Sequence, residues 1–310
     1  YWANRTLPDW QIKGKVTAPR ILAAKLASGI ELDMVNAYLL RQIPWAETGS
    51  SWSLHPNGDY DFTLTILTGI LWLYGDQPQI LYPETQDHLL KVLLTEEGSC
   101  TRLHIPMTGG LMKETENHVL MTQGSCYLKN RWLTKHGTTS AKYNNTANGM
   151  ETLLLHYLGE IEKGGLYEFN SIPYLAYTMT ALLNLEAFGS EVVSASARRI
   201  LDRLNWQYAL GSLSGRRCVP FRRRIEKAGN SLTANYQHTF IEVWMSFKPG
   251  LELDIDPGIV KSSHALWPCL MSYRLSDQTA QWIESKPSQY FVKIGHGPRS
   301  SPEIYSGGPG

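Results

Sequence analysis

Residues Glu114-Thr115-Glu116-Asn117-His118 stand at the head of the run ENHVLMTQGSCYLKNRW, whose apolar residues recur at helical spacing. Two carboxylates, an amide and an imidazole within five positions are the side chains of acid–base work and of hydrogen bonding to an anion. The same residues suit a plain helix start, since Thr or Asn can cap and acids favour the first turn. On a helix, Asn117 shares the apolar row of Leu120, Met121, Gly124 and Leu128, whereas His118 heads the polar row of Thr122, Ser125 and Lys129. The pair therefore falls at the border between core and opening, and both roles stay open.

Hydrophobic periodicity shows which elements must position these residues. It predicts helices at IELDMVNAYLLRQ, FTLTILTGILWLYG, TQDHLLKVLLTEE, ENHVLMTQGSCYLKNRW, NGMETLLLHYLGEIEK, IPYLAYTMTALLNLEAF, SEVVSASARRILDRLNWQYA, ANYQHTFIEVWMSF and SSHALWPCLMSY. The expected fold class is all-α. One class of helix starts near Phe62, Glu116, Ile172 and Ala234, at intervals of roughly 54 to 62 residues, with another helix between each successive pair. The chain reads as tandem αα-hairpins, and such hairpins can close into a double ring because each buries its face only against its neighbours.

In a ring of that kind the inner helices run parallel, so their N-termini share one mouth. That topology would gather Asp59 and Asp61, Glu116, Asn117 and His118, Glu168 and Tyr174, and Arg222 and Arg223. Helix N-termini present unpaired N–H groups and partial positive charge, and the arginines of GRRCVPFRRR add full charges, so an anionic ligand is favoured. Carboxylates and aromatic faces beside them suit a sugar, and an acidic polysaccharide or oligosaccharide satisfies both. Plainer readings run alongside. Asn57-Gly58-Asp59 is a turn signal, Asp61 a helix cap, Tyr167, Tyr174 and Tyr177 packing residues, and the arginines a solvated loop.

Asn117-His118 opening a helix, followed by LYEFNSIPYLAYTMTAL with its Tyr174, resembles the toroid polysaccharide lyases of the heparinase and alginate lyase type. The resemblance covers roughly Asp59 to His238. It implies an incomplete (α/α) toroid as the catalytic domain over residues 1–285. Residues 286–310 would then start a truncated β-sandwich, with the rest of that C-terminal domain missing from the chain. It also implies β-elimination at a uronic acid, in a secreted or periplasmic protein, without a cofactor. Asn117 and His118 would neutralise the substrate carboxylate, and Tyr174 would be the proton donor and also the candidate base. A tyrosine base needs positive surroundings, which a helix N-terminus and Arg222 and Arg223 would supply. The family draws a further histidine from its sandwich domain, for which His238, His264 and His296 are the substitutes here. Glu116 beside a substrate carboxylate calls for a partner, and an arginine is expected.

Two other classes remain open. A glycoside hydrolase on an α/α toroid would use two carboxylates from Asp59, Asp61, Glu116 and Glu168. A non-catalytic toroid would only bind glycans. A net charge of +1 over 310 residues argues against a dedicated nucleic-acid binder, and no apolar run is long enough for a membrane span. Cys100, Cys126, Cys218 and Cys269 form no CxxC pair and are read as small apolar residues of the core, and no His, Asp or Cys set has metal-ligand spacing. The start, YWANRTLPDW, reads as the inside of a longer protein.

Overall fold

The computed structural model describes residues 1–44, 59–100, 104, 111–213, 216–218, 221, 233–234, 238–248, 258, 261–294 and 303–307. Over these the chain is mostly helical, with twelve α-helices. It divides into two compact units, one of Tyr1–Glu114 with His118–Leu154 and one of Thr115–Asn117 with Leu155–Gly310.

The first unit holds α1 (Trp10–Lys13), α2 (Thr17–Ser28), α3 (Leu32–Leu40), α4 (Asp61–Tyr74), α5 (Pro83–His88) and all but the first two residues of α6 (Glu116–Lys135). α5 runs directly into a π-helical turn, Leu89–Leu93. α4 is apolar almost all round, and Phe62, Leu64, Ile66, Leu67, Ile70 and Leu71 are all buried, as expected of a helix lying inside its unit. α2 packs on α3 and α4. Its sequence, TAPRILAAKLAS, was not among the expected helices. Arg20 and Lys25 interrupt its apolar stripe, yet both are buried, Lys25 donating to Ala3 O at 2.8 Å and pairing with Glu31.

The start of α4 is fixed from two sides. The Tyr60 hydroxyl donates to Leu93 O of the π-helical turn at 3.0 Å, and the Thr63 hydroxyl to Gly14 O at 3.2 Å. α6 is tied to the chain that follows the π-helical turn by the side-chain amide of Asn130, which accepts from Gly98 N–H and donates to Gly98 O, both at 2.8 Å. A disulfide between Cys100 and Cys126 joins the same two segments. That corrects the reading of these two cysteines as small apolar core residues. A separation of 26 residues carries no motif, and only the return of the chain alongside α6 makes them neighbours.

The second unit contains α7 (Met150–Gly164) from Leu155 onward, α8 (Leu175–Phe188), α9 (Glu191–Gly211), α10 (His238–Ser246), α11 (Leu266–Leu270) and α12 (Asp277–Glu284). α8 and α9 form a tight hairpin. At its turn a Cβ on Gly189 would lie 2.5 Å from Leu185 O and 2.9 Å from Val193 Cγ1, so only glycine fits without a shift. Trp267 of α11 is locked to α8 by its indole N–H, which donates to Asn184 Oδ1 at 2.9 Å. α12, capped by Ser276, lies beyond the helical pattern expected from the sequence, which ends at about residue 275.

Strands in the second unit are short. β1 (Ser212–Leu213), β2 (Arg216–Cys218) and β3 (Thr233–Ala234) form an antiparallel sheet in that order, and β4 (Tyr290–Ile294) pairs antiparallel with β5 (Glu303–Gly307). The helix expected from Ala234 therefore begins only at His238, since Thr233 and Ala234 pair with Cys218 and Arg217. The expected alternation of helices does appear in the element order. α4, α6, α8 and α10 begin at Asp61, Glu116, Leu175 and His238, with α5, α7 and α9 in the intervals.

Candidate functional site

In the first unit, Asp61 opens α4 and His118 lies in the first turn of α6. The Asp61 carboxylate is divided between two donors, with Oδ1 accepting from Phe62 N–H at 3.1 Å and Oδ2 from Nδ1 of His118. Asp61 is 2% exposed and His118 7%, so little water competes with the pair. The Phe62 ring stands edge-on to the imidazole, 5.6 Å between centroids. Two residues earlier in the chain Asp59, also buried, forms an ion pair with Lys15, whose ammonium lies 4.5 Å from the centre of the Phe62 ring. Phe62 is thus in contact with the cation of one pair and the ring of the other.

The charges decide the state of the imidazole. Burial works against a charged ring, but the Asp61 carboxylate opposes it by charge and hydrogen bond, and Glu114 and Asp59 add negative charge, so His118 is held above its ordinary value of 6.5. An imidazole anchored through Nδ1 to a buried carboxylate is suited to donating a hydrogen bond or a proton through Nε2.

Thr115, Glu116 and Asn117 belong to the second unit. The Thr115 hydroxyl donates to Asn117 Oδ1 at 2.7 Å. Asn117 is 2% exposed, and its Nδ2 has no hydrogen-bond partner among the described residues. An orphaned buried donor costs about 1–3 kcal/mol, so its retention needs an explanation beyond packing.

Glu116 does not have the expected arginine partner among the described residues. Its Oε1 accepts from Tyr167 N–H and its Oε2 from Glu168 N–H at 3.4 Å. Burial pushes its carboxyl above the usual range; the main-chain donors pull it down, and the charge of Glu168 raises it further. The residue ties the 167–168 main chain to the start of α6. Glu168 itself is buried in the turn at 167–170.

Tyr174 lies at the N-cap of α8, half-buried, its carbonyl accepting from Tyr177 N–H at 3.0 Å and Thr178 N–H at 3.1 Å. Of the histidine substitutes, His264 is buried between aromatic rings, 5.0 Å from Tyr177 and 6.3 Å from Phe240. His238 is the first residue of α10, and His296, Arg222 and Arg223 lie outside the described residues. Arg217 of the same basic cluster is described. It donates to Asn170 Oδ1, stacks 5.2 Å from the Tyr208 ring centre, and lines a cavity of about 40 Å³ that has room for a few waters.

Asp61 and His118 are each marked by the sequence but their pairing is not, and nothing local marks Lys15. Lys15 sits in the turn-like KGKV, and its importance comes only from Asp59 folding against it. Among the described residues no group of three or more His, Cys, Asp or Glu could hold a metal ion. No described helix is long and apolar enough to cross a membrane. Set against protein-family models, curated proteins and solved structures, the chain finds no match.

Proposed function

We propose that the protein is a polysaccharide lyase acting on a uronic-acid-containing chain by β-elimination, on a toroid of tandem αα-hairpins. The observation that carries this reading is the buried Asp61–His118 pair, an imidazole at the start of α6 whose hold on its proton is strengthened by a carboxylate. A uronate carboxylate must lose its negative charge for its C5 proton to become removable, and a cationic imidazole supplies the counter-charge as the enolate-like state forms. Asn117, the preceding residue, has an amide N–H₂ able to give a second hydrogen bond to the same kind of group.

The electron balance is then simple. A base takes the C5 proton, the C5 electron pair forms the C4=C5 double bond, and the C4–O bond breaks. The departing oxygen takes a proton from an acid. By the family resemblance Tyr174 fills the acid role and, as tyrosinate, the base role too, receiving the C5 proton and returning it to the leaving oxygen.

The two-carboxylate alternative has less support. Asp59 is paired with Lys15, Asp61 with His118, and Glu116 with main-chain N–H groups, so these carboxylates already have internal partners. The Cys100–Cys126 disulfide supports a secreted or periplasmic setting, where such bonds persist.

The test is to incubate the protein with a panel of uronate polysaccharides and follow the ultraviolet absorbance of the unsaturated product. Elimination creates that chromophore, whereas new reducing ends without it would turn the reading to hydrolysis. Binding without either product would leave a glycan-binding protein. Tyr174→Phe is expected to abolish turnover while the far-ultraviolet circular dichroism stays that of the parent.

A further inference from the structure

We infer that Asp61 is the positioning residue of this site: it accepts from Nδ1 of His118, fixes the orientation of the ring, and so sets it to serve a substrate carboxylate as a donor and not as a base. The inference rests on the proposed role of His118 toward a substrate carboxylate and adds what sets that role.

Three observations support it. First, Asp61 accepts from His118 Nδ1, and its other oxygen is held by Phe62 N–H, so the carboxylate is itself fixed in direction. Second, the first residue of α4 is secured on both sides, by Tyr60 to Leu93 and Thr63 to Gly14, so Asp61 is carried on a rigid element. Third, the competing cation is already engaged, because Lys15 is paired with Asp59. Among the described residues the charged groups acting on the ring are Asp61 on α4, Asp59 just before it and Glu114 before α6, with Lys15 paired to Asp59. A ring in that surrounding gives up its proton reluctantly, so it neutralises an anion well and abstracts a C5 proton poorly. The base must then be another group.

The experiment is a histidine-selective NMR titration of the whole chain, with the His118 signal assigned by its loss in His118→Gln. The wild-type signal is expected to titrate above 6.5, and in Asp61→Asn the midpoint is expected to move down. Titration of the wild-type ring below 6.5 would overturn the inference without any variant. So would an unchanged midpoint in an Asp61→Asn protein that keeps the parent circular dichroism. In the elimination assay Asp61→Asn is expected to lower kcat by about 10²- to 10⁴-fold with KM little changed. Its alkaline limb should move to lower pH, a shift that a merely structural role would not cause. Should no uronate polysaccharide be cleaved while the titration behaves as stated, the lyase reading fails and the coupling of Asp61 to His118 stands.

Discussion

Nδ1 of His118 donates to Oδ2 of Asp61 across 57 positions of sequence, joining the first turn of α6 to the first residue of α4 inside one compact unit. Because the folded protein holds the imidazolium more tightly than an unfolded chain does, it binds the proton in excess between 6.5 and the raised value. The stabilisation is therefore complete below 6.5 and is lost as the pH rises through the raised value. Denaturant unfolding followed between about pH 5 and pH 9 is expected to show that fall. His118→Gln should flatten it. The same variant leaves a carboxylate buried without its counter-charge and is expected to cost about 3–5 kcal/mol at the acid end.

Glu116 gives a prediction of a different kind. Its two oxygens satisfy the Tyr167 and Glu168 N–H groups, so Glu116→Ala would leave both donors short of an acceptor, at about 1–3 kcal/mol each. The expected result is a variant with a clearly lower Tm but an unchanged KM for substrate. A raised KM with parental stability would return Glu116 to the substrate-binding role expected from the sequence. The pH sign follows from burial. A carboxyl raised above 4.5 makes the protein lose stability as the pH climbs from 4.5 through the raised value.

The Cys100–Cys126 bond closes a loop spanning 26 residues, and cross-linking over that distance is worth about 3 kcal/mol through restriction of the unfolded chain. A reductant, or Cys126→Ala, is expected to lower the denaturant midpoint of the first unit by an amount of that order. Cys269→Ala, at an exposed thiol, should leave the midpoint where it is. Equal sensitivity of the two variants would refute the assignment. A thiol count under denaturing conditions, before and after reduction, provides a second check.

Helices with continuous apolar stripes were legible from the sequence because burial writes a period of 3.6 residues into them. α4, α6, α8 and α9 all lie where the pattern puts them, within about three residues. α2 was not, since its stripe contains Arg20 and Lys25, and their burial is made tolerable by partners such as Ala3 O and Glu31 that no local window includes. Ala234 is expected in a helix but pairs with Arg217 of β2, a long-range fact that no local window contains. At the site, residue types identified Asp61, Asn117 and His118. Their roles depended on which distant side chain each one meets: Lys15 with Asp59, His118 with Asp61, and Glu116 with the main chain at 167 and 168.

Asn117 offers the sharpest separation of function from stability. Its Oδ1 is held by the Thr115 hydroxyl, while its Nδ2, buried, meets no acceptor among the described residues. A buried donor without an acceptor destabilises the fold, so removing it should cost little. Asn117→Ala loses one hydrogen bond from Thr115 and relieves one desolvated NH₂ group, two effects of about 1 kcal/mol or slightly more and of opposite sign. Its unfolding midpoint is expected to stay within about 1 kcal/mol of the parent. If the amide is kept for a substrate carboxylate, the same change removes a donor aimed at developing charge, a loss typically worth about 10²- to 10³-fold in kcat. A folded, stable and nearly inactive Asn117→Ala is therefore the expected outcome, measured by denaturant unfolding beside the ultraviolet elimination assay. A variant that is equally stable and fully active would show that the orphaned amide has no part in the chemistry, and the carboxylate would then have to be neutralised by His118 without it.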